Sequence, residues 1–168
     1  MAVVRIKSVV SISDPTQAEG APILAPATGQ VEWHPASPLP LSSETFSIKI
    51  ENDTVYSPLS AIITNIQCSF GKVELKTRSG LMFELAFPQS YERFMGQGIK
   101  PLVKSGVAVK KGQPLLHLDL FKMKNNLSQL LLFVKVFNLN MYKKIHVPYR
   151  YVEARQDALV TLVVKKKK

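Results

Sequence analysis

Cysteine is nearly absent: Cys68 is the only one in 168 residues, so no internal disulfide can form and a reducing, cytoplasmic setting is the expectation. Long apolar runs are missing too. Stretches such as residues 130–134 have the length of a strand, well short of the ~18 residues that a membrane-spanning helix requires. The opening Met1-Ala-Val-Val-Arg-Ile-Lys7 sets its charges inside a short apolar run and has no small-residue cleavage site, which argues against a secretory leader. Acidic residues are scarce, twelve against twenty-two Lys and Arg, for a net charge of +10. Four of the positive charges form the run Lys165-Lys-Lys-Lys168 and most others stand singly, so the excess reads as solvated surface and no specific nucleic-acid partner is expected.

Apolar residues make up 46% and charged ones 20%, which excludes a disordered polyelectrolyte and leaves enough material for one buried core. Residues 1–20, ahead of Gly20-Ala-Pro22, are expected to form a flexible N-terminal arm, and residues 21–168 the domain. The segments 46–50, 61–66, 73–76, 81–87, 107–109, 115–118, 130–137, 145–152 and 159–164 are strand-sized, and many are rich in β-branched and aromatic residues. Thr77-Arg-Ser-Gly80 sits between two of them, its glycine free to take the positive φ of a hairpin. Only residues 121–129 and 100–104 are long enough between turn signals for a helical turn or two. The fold expected is all-β: an antiparallel β-sandwich or barrel-sandwich hybrid with short helical turns.

One echo runs through the first half. Ala25-Pro-Ala-Thr-Gly-Gln-Val31 and Ser57-Pro-Leu-Ser-Ala-Ile-Ile63 share a small residue, a proline, a hydroxyl and a β-branched residue, at a spacing of 32 residues. The pattern suggests a duplicated unit in which each proline opens a strand, where the missing N–H costs nothing.

From that echo to the end, the chain resembles the glucose-specific IIA component of the bacterial sugar phosphotransferase system. The family patterns Ala-Pro-x-Ser-Gly-x-Ile and Ala-Pro-x-x-Gly-x-Ile are met by residues 25–31 and 57–63. Ser79-Gly80, Gly96-Gln-Gly98 and Gly106-Val-Ala-Val-Lys-Lys-Gly112 follow without a gap, and residues 157–166 resemble the last strand with its basic finish. The resemblance implies a duplicated hybrid motif, and a phosphoryl-accepting histidine with a second histidine supporting it. The acceptor pattern Thr-x-His-Ala reads Ser69-Phe-Gly71-Lys72 here, and the supporting His-Phe-Gly-x-Asp reads Ala86-Phe-Pro-Gln-Ser90. Phosphoryl transfer needs an imidazole nitrogen in line with phosphorus, and neither a hydrogen at Gly71 nor a methyl at Ala86 supplies one. No catalytic residue and no cofactor are therefore expected.

The surface around these positions remains as a candidate for binding a protein partner. Ser69, Phe70, Lys72, Phe87, Ser90, Tyr91, Arg93 and Phe94 are the candidate contacts. Lys72, Ser90 and Arg93 stand where the family carries a less basic rim, which disfavours a basic carrier such as the phosphocarrier HPr. The function expected is regulatory binding in sugar transport or carbon metabolism. Two other readings stay open. One is a relocated phosphoryl acceptor among His34, which follows Trp33 in a proline-rich loop, His117 and His146. The other is a biotinyl or lipoyl carrier, since Gly112-Gln-Pro-Leu-Leu-His-Leu-Asp-Leu-Phe-Lys-Met-Lys124 places Lys122 where such carriers bear their group. A zinc peptidase on a hybrid-motif fold would need converging ligands; Leu116-His-Leu-Asp119 gives one His-x-Asp and there is no His-x-His, so no metal is expected.

Overall fold

In the computed structural model, alternation along the chain becomes three sheets. The structure describes residues 10–12, 21–34, 43–67, 71–87, 97–125, 129–137, 142–147 and 151–164. The largest sheet runs in the order β10 (Ala108–Val109), β6 (Ala61–Gln67), β7 (Lys72–Lys76), β8 (Met82–Ala86), β12 (Leu131–Phe137), β4 (Ser43–Ile50), β3 (Gly29–His34) and β14 (Tyr151–Val152). A second joins β1 (Val10–Ile12), β13 (Tyr142–Val147), β15 (Ala158–Val164) and β2 (Ala21–Leu24); a third joins β5 (Thr54–Tyr56), β11 (Pro114–Leu118) and β9 (Ile99–Pro101). Every pairing is antiparallel except β1 with β13. One short helix, α1 (Leu120–Asn125), completes the described elements. The chain is a β-sandwich, as its composition led one to expect.

Side chains two apart on a strand share a face, and this period divides the large sheet into a core side and an outer side. On β12, Leu132, Val134 and Val136 are buried while Leu131, Phe133, Lys135 and Phe137 are half-exposed. Register carries the division across neighbours: Val134 lies opposite Phe46 of β4 and Leu85 of β8, and Val136 opposite Glu44 and Phe83. Glu44 is the one buried carboxylate among the described residues, at 3% exposure, and it accepts a hydrogen bond from the Trp33 indole at 2.8 Å. That bond offsets the cost of taking a charge-bearing group out of water.

The duplicated unit is visible in the hydrogen bonds. The Leu24 amide donates to the Pro58 carbonyl at 3.1 Å, and the Tyr56 amide to the Pro26 carbonyl at 2.8 Å. Adding 32 to the first donor and subtracting it from the first acceptor gives the second bond, so the two proline turns clasp each other about a local two-fold. The clasp extends outward: the Ala25 amide donates to Asp157 and the Ser57 amide to Gln113, while Arg155 and Gly112 return their amides to Ala25 and Ser57. Those two returning residues both have positive φ, +67° at Arg155 and +79° at Gly112.

Three expectations need correction. Residues 100–104 are not helical: Ile99–Pro101 is strand β9, whose Ile99 is buried, and a proline is tolerated because β9 is an edge strand. The run expected as one strand over 145–152 is two, β13 and β14, which belong to different sheets. His34 is in no loop but ends β3, opposite Thr45. In the expected N-terminal arm, Val10–Ile12 forms β1 beside β13, and the remainder of residues 1–20 lies outside the described residues.

Phe46 is 1% exposed between Val134 and Trp33 at the centre of the inner face. Phe46→Ala is expected to cost about 3–5 kcal/mol through lost burial and the cavity it leaves. At about 2–4 °C per kcal/mol for a chain of this size, the thermal midpoint should fall by roughly 10 °C. Met82→Ala, on the outer side at 37% exposure, should move it by no more than roughly 2 °C.

Candidate functional site

Strands β7 and β8 bring the two positions of interest together. Lys72 is the direct cross-strand partner of Ala86, and the Phe87 amide donates to the Gly71 carbonyl at 2.9 Å, so Gly71 and Ala86 are diagonal neighbours. They do not face each other. Ala86 is half-exposed and shares the outer side with Lys72 and Phe133, whereas Gly71 is buried. Gly71 has φ +60°, and a Cβ built there would stand 3.0 Å from the Phe87 ring, 3.2 Å from the Phe87 Cβ and 3.4 Å from the Ile99 Cδ1. Both the left-handed backbone and the space beside it favour glycine.

Phe87, expected among the partner contacts, is instead core: it is 5% exposed, in phase with the buried Leu85 and Phe83. Lys72 keeps its place at the surface but not as a lone positive charge. Its ammonium lies 3.1 Å from Glu74 and 3.7 Å from Glu84. The hydrogen-bonded Glu74 carboxylate, with Glu84 beside it, holds the Lys72 pKa above its ordinary value. Two carboxylates around one ammonium leave this part of the outer side without a positive excess. Ser69, Phe70, Ser90, Tyr91, Arg93 and Phe94 lie outside the described residues.

The three histidines are spread over three sheets. His34 is on the same outer side as Ala86, three strands away, which at ~4.8 Å per strand is roughly 14 Å. Its Nε2 shares a 2.7 Å hydrogen bond with the Ser47 hydroxyl, and its ring centroid is 5.6 Å from that of Phe133. Phe133 is the direct neighbour of Ala86, so a chain of outer-side contacts runs from His34 to the site. Strand alternation could have placed His34 there, but the prolines that follow it masked the end of β3. His117 is exposed on β11 between Thr54 and Lys100, in a cleft of about 540 Å³ that Asp53, Asp119 and Lys122 also line. His146 is on β13, opposite Thr161. No cluster of three metal-ligating side chains occurs among the described residues.

Lys122 does not occupy a hairpin tip, as a carrier lysine requires. It lies within α1, where the Asp119 carboxylate accepts its backbone N–H at 3.1 Å and Met123 is buried beside it. The helix forms because Asp119 caps it, a role that the carrier pattern conceals.

Residues 41–142, more than half of the chain and including all of β4 to β12, match the family profile for the phosphoenolpyruvate-dependent sugar phosphotransferase system, EIIA 1. The chain belongs to this family. Glucose-specific EIIA components of the phosphotransferase system from two strains of Staphylococcus epidermidis are each 28% identical to this EIIA chain over 130 residues, 74% of its length and 78% of theirs. In fold, it is similar to the glucose permease IIA of Mycoplasma capricolum, with a TM-score of 0.70 at 16% identity over 85% of this chain and 96% of that one. No helix among the described residues is long and apolar enough to cross a membrane.

Placing a histidine at residue 71 of this EIIA chain should be costly on two counts: about 1–3 kcal/mol for a side chain at that φ, and about 1–3 kcal/mol for overpacking Phe87 and Ile99. Gly80→His is the control, since Gly80 has φ +93° but nothing within 4 Å of a Cβ. Thermal melts should show Gly71→His falling several degrees below Gly80→His, at about 2–4 °C per kcal/mol.

Proposed function

We propose that this EIIA-family chain no longer relays phosphate and acts by binding protein partners, regulating sugar transport or carbon metabolism in the cytoplasm. One observation carries the reading. At Gly71, where the family resemblance places the acceptor, the backbone is left-handed and a Cβ would meet Phe87 and Ile99. Not only is the imidazole missing; the position is shaped around its absence. The supporting position is a methyl, Ala86, with a hydrocarbon neighbour, Phe133, on one side and the ion-paired Lys72 on the other. Ala86 and Phe133 carry no nucleophile, and Lys72 is held by Glu74 and Glu84 as an ammonium with no free lone pair to attack phosphorus. The glucose-specific label of the staphylococcal relatives supports sugar transport as the setting.

The partner in this proposal is not the basic phosphocarrier. Ser90 and Arg93 stand in the sequence where the family pattern has carboxylates, and the loss of those negative charges weakens long-range attraction for a basic protein. Lys72 adds no repulsion of its own, because Glu74 and Glu84 match it.

Incubation with phosphoenolpyruvate, enzyme I and HPr, with the phosphoryl group labelled, is expected to leave the chain unlabelled. An acid-labile label that persists in Ala86→Ser but disappears in His34→Ala or in His117→Ala would identify a relocated acceptor and overturn the proposal.

A further inference from the structure

At the β10 edge of the large sheet, beside the end of β7 opposite to Gly71, strands β10, β6 and β7 form an open trough of about 550 Å³. Its floor is the outer side of β6. Ser60, Ile62 and Thr64 follow one another there, with Ala108 of β10 opposite Ile62 on one side and Lys76 of β7 opposite it on the other. Ile62 is 51% exposed, a large apolar side chain between Ser60 and Thr64 along the strand and beside Ala108, so the floor is apolar at its centre. Thr64 is the extra residue of a register shift between Ile63 and Asn65, which bends the strand at the trough's end.

The wall is cationic. Lys76 and Arg78 stand two residues apart, on one side of the floor, and the trough's lining contains no carboxylate. Neither makes a salt bridge among the described residues; the two described ion pairs both belong to Lys72. Glu74 and Glu84, the nearest carboxylates along β7 and β8, are turned to Lys72. Among the described residues the positive charge of the wall is therefore uncompensated, unlike that beside Ala86.

We propose that this trough binds an acidic segment of a protein partner, in extended form, with apolar side chains on Ile62 and Ala108 and carboxylates on Lys76 and Arg78. The inference takes up the reading of the chain as a binding protein and gives the partner a chemistry. Arg78 lies in the hairpin turn just beyond Lys76, the last residue of β7; an extended Glu-x-Glu segment presents its two carboxylates on one side roughly 6.5–7 Å apart, within reach of both long cationic side chains. Strand β10 is only two residues long and ends the sheet, leaving an edge beside which an extended segment can lie. Nucleic acid fits less well, because the lining has no aromatic side chain on which a base could stack.

The test uses the full chain and a fluorescein-labelled synthetic peptide of repeated Glu-Leu-Glu-Val, followed by anisotropy at physiological salt. Saturable binding is expected, weakened at least roughly tenfold in Lys76→Glu/Arg78→Glu. Lys100→Glu/Lys122→Glu, which changes net charge by the same amount at the other cleft, should stay within about twofold of the wild type. A Gln-Leu-Gln-Val peptide should bind at least roughly tenfold more weakly. Amide shifts in nuclear magnetic resonance should concentrate at residues 60–64, 76–78 and 108–109. No saturable binding, an equal loss in both charge variants, or tighter binding of single-stranded DNA that the same variant abolishes would each overturn the proposal. Label transfer in the phosphoryl relay would sink the reading of an idle site without touching this result, and a failed peptide titration would leave that reading standing.

Discussion

Strand alternation in the eight-stranded sheet is the constraint from which the other features follow. Because β7, β8, β12 and β4 pair in register, their inward residues meet as one layer: Val73, Leu85, Val134 and Phe46 lie side by side, with Leu75, Phe83, Val136 and Glu44 in the next row. A slip of one residue on any of these strands would carry its apolar set to the outer side and its charges into the core, so the register is strongly determined. The same registration arrays the outer side in rows. Lys72, Ala86, Phe133 and Ser47 form one row, Glu74, Glu84, Lys135 and Thr45 a second, and Ile62, Lys76, Met82 and Phe137 a third.

Those rows separate two chemistries. In the first two, Lys72 with Glu74 and Glu84 makes a self-contained ion-paired group, and the half-exposed Phe133 separates it from His34 and Ser47. In the third, Ile62 stands open beside Lys76, with no acidic neighbour in the trough. One sheet thus offers a quiet surface at the end where the family resemblance places transfer chemistry, and an electropositive, apolar one at the other. Such contrasts matter for recognition because charge complementarity governs approach and choice of partner more than it adds affinity.

Much of this was legible before the fold was seen. Alternation located β4, β6, β7, β8, β11, β12 and β15, and the proline echo announced the duplication later seen as paired Leu24–Pro58 and Tyr56–Pro26 hydrogen bonds. Short edges were harder to read: β5, β9 and β14 have two or three residues each, too few for a period to register. His34 was hidden by the prolines after it, and Phe87 by its place next to a candidate site, although its phase with Leu85 marks it as inward. The trough could not be read at all. It depends on Ala108, Ile62 and Lys76, from segments far apart in sequence, being set opposite one another by pairing.

That no imidazole stands at residue 71, where the family resemblance places the acceptor, is visible as a letter; the left-handed φ and the nearness of Phe87 and Ile99 appear only in three dimensions. The backbone at residue 71 is shaped for no side chain, so two substitutions should not rebuild a paired-imidazole site. A crystal structure of the Gly71→His/Ala86→His variant tests it most directly. In that structure the imidazole at 71 is expected either to turn toward Phe87 and Ile99 or to force them aside, and not to meet the imidazole at 86. Two imidazoles converging on the outer side, with the φ of residue 71 and the position of Phe87 unchanged, would contradict it.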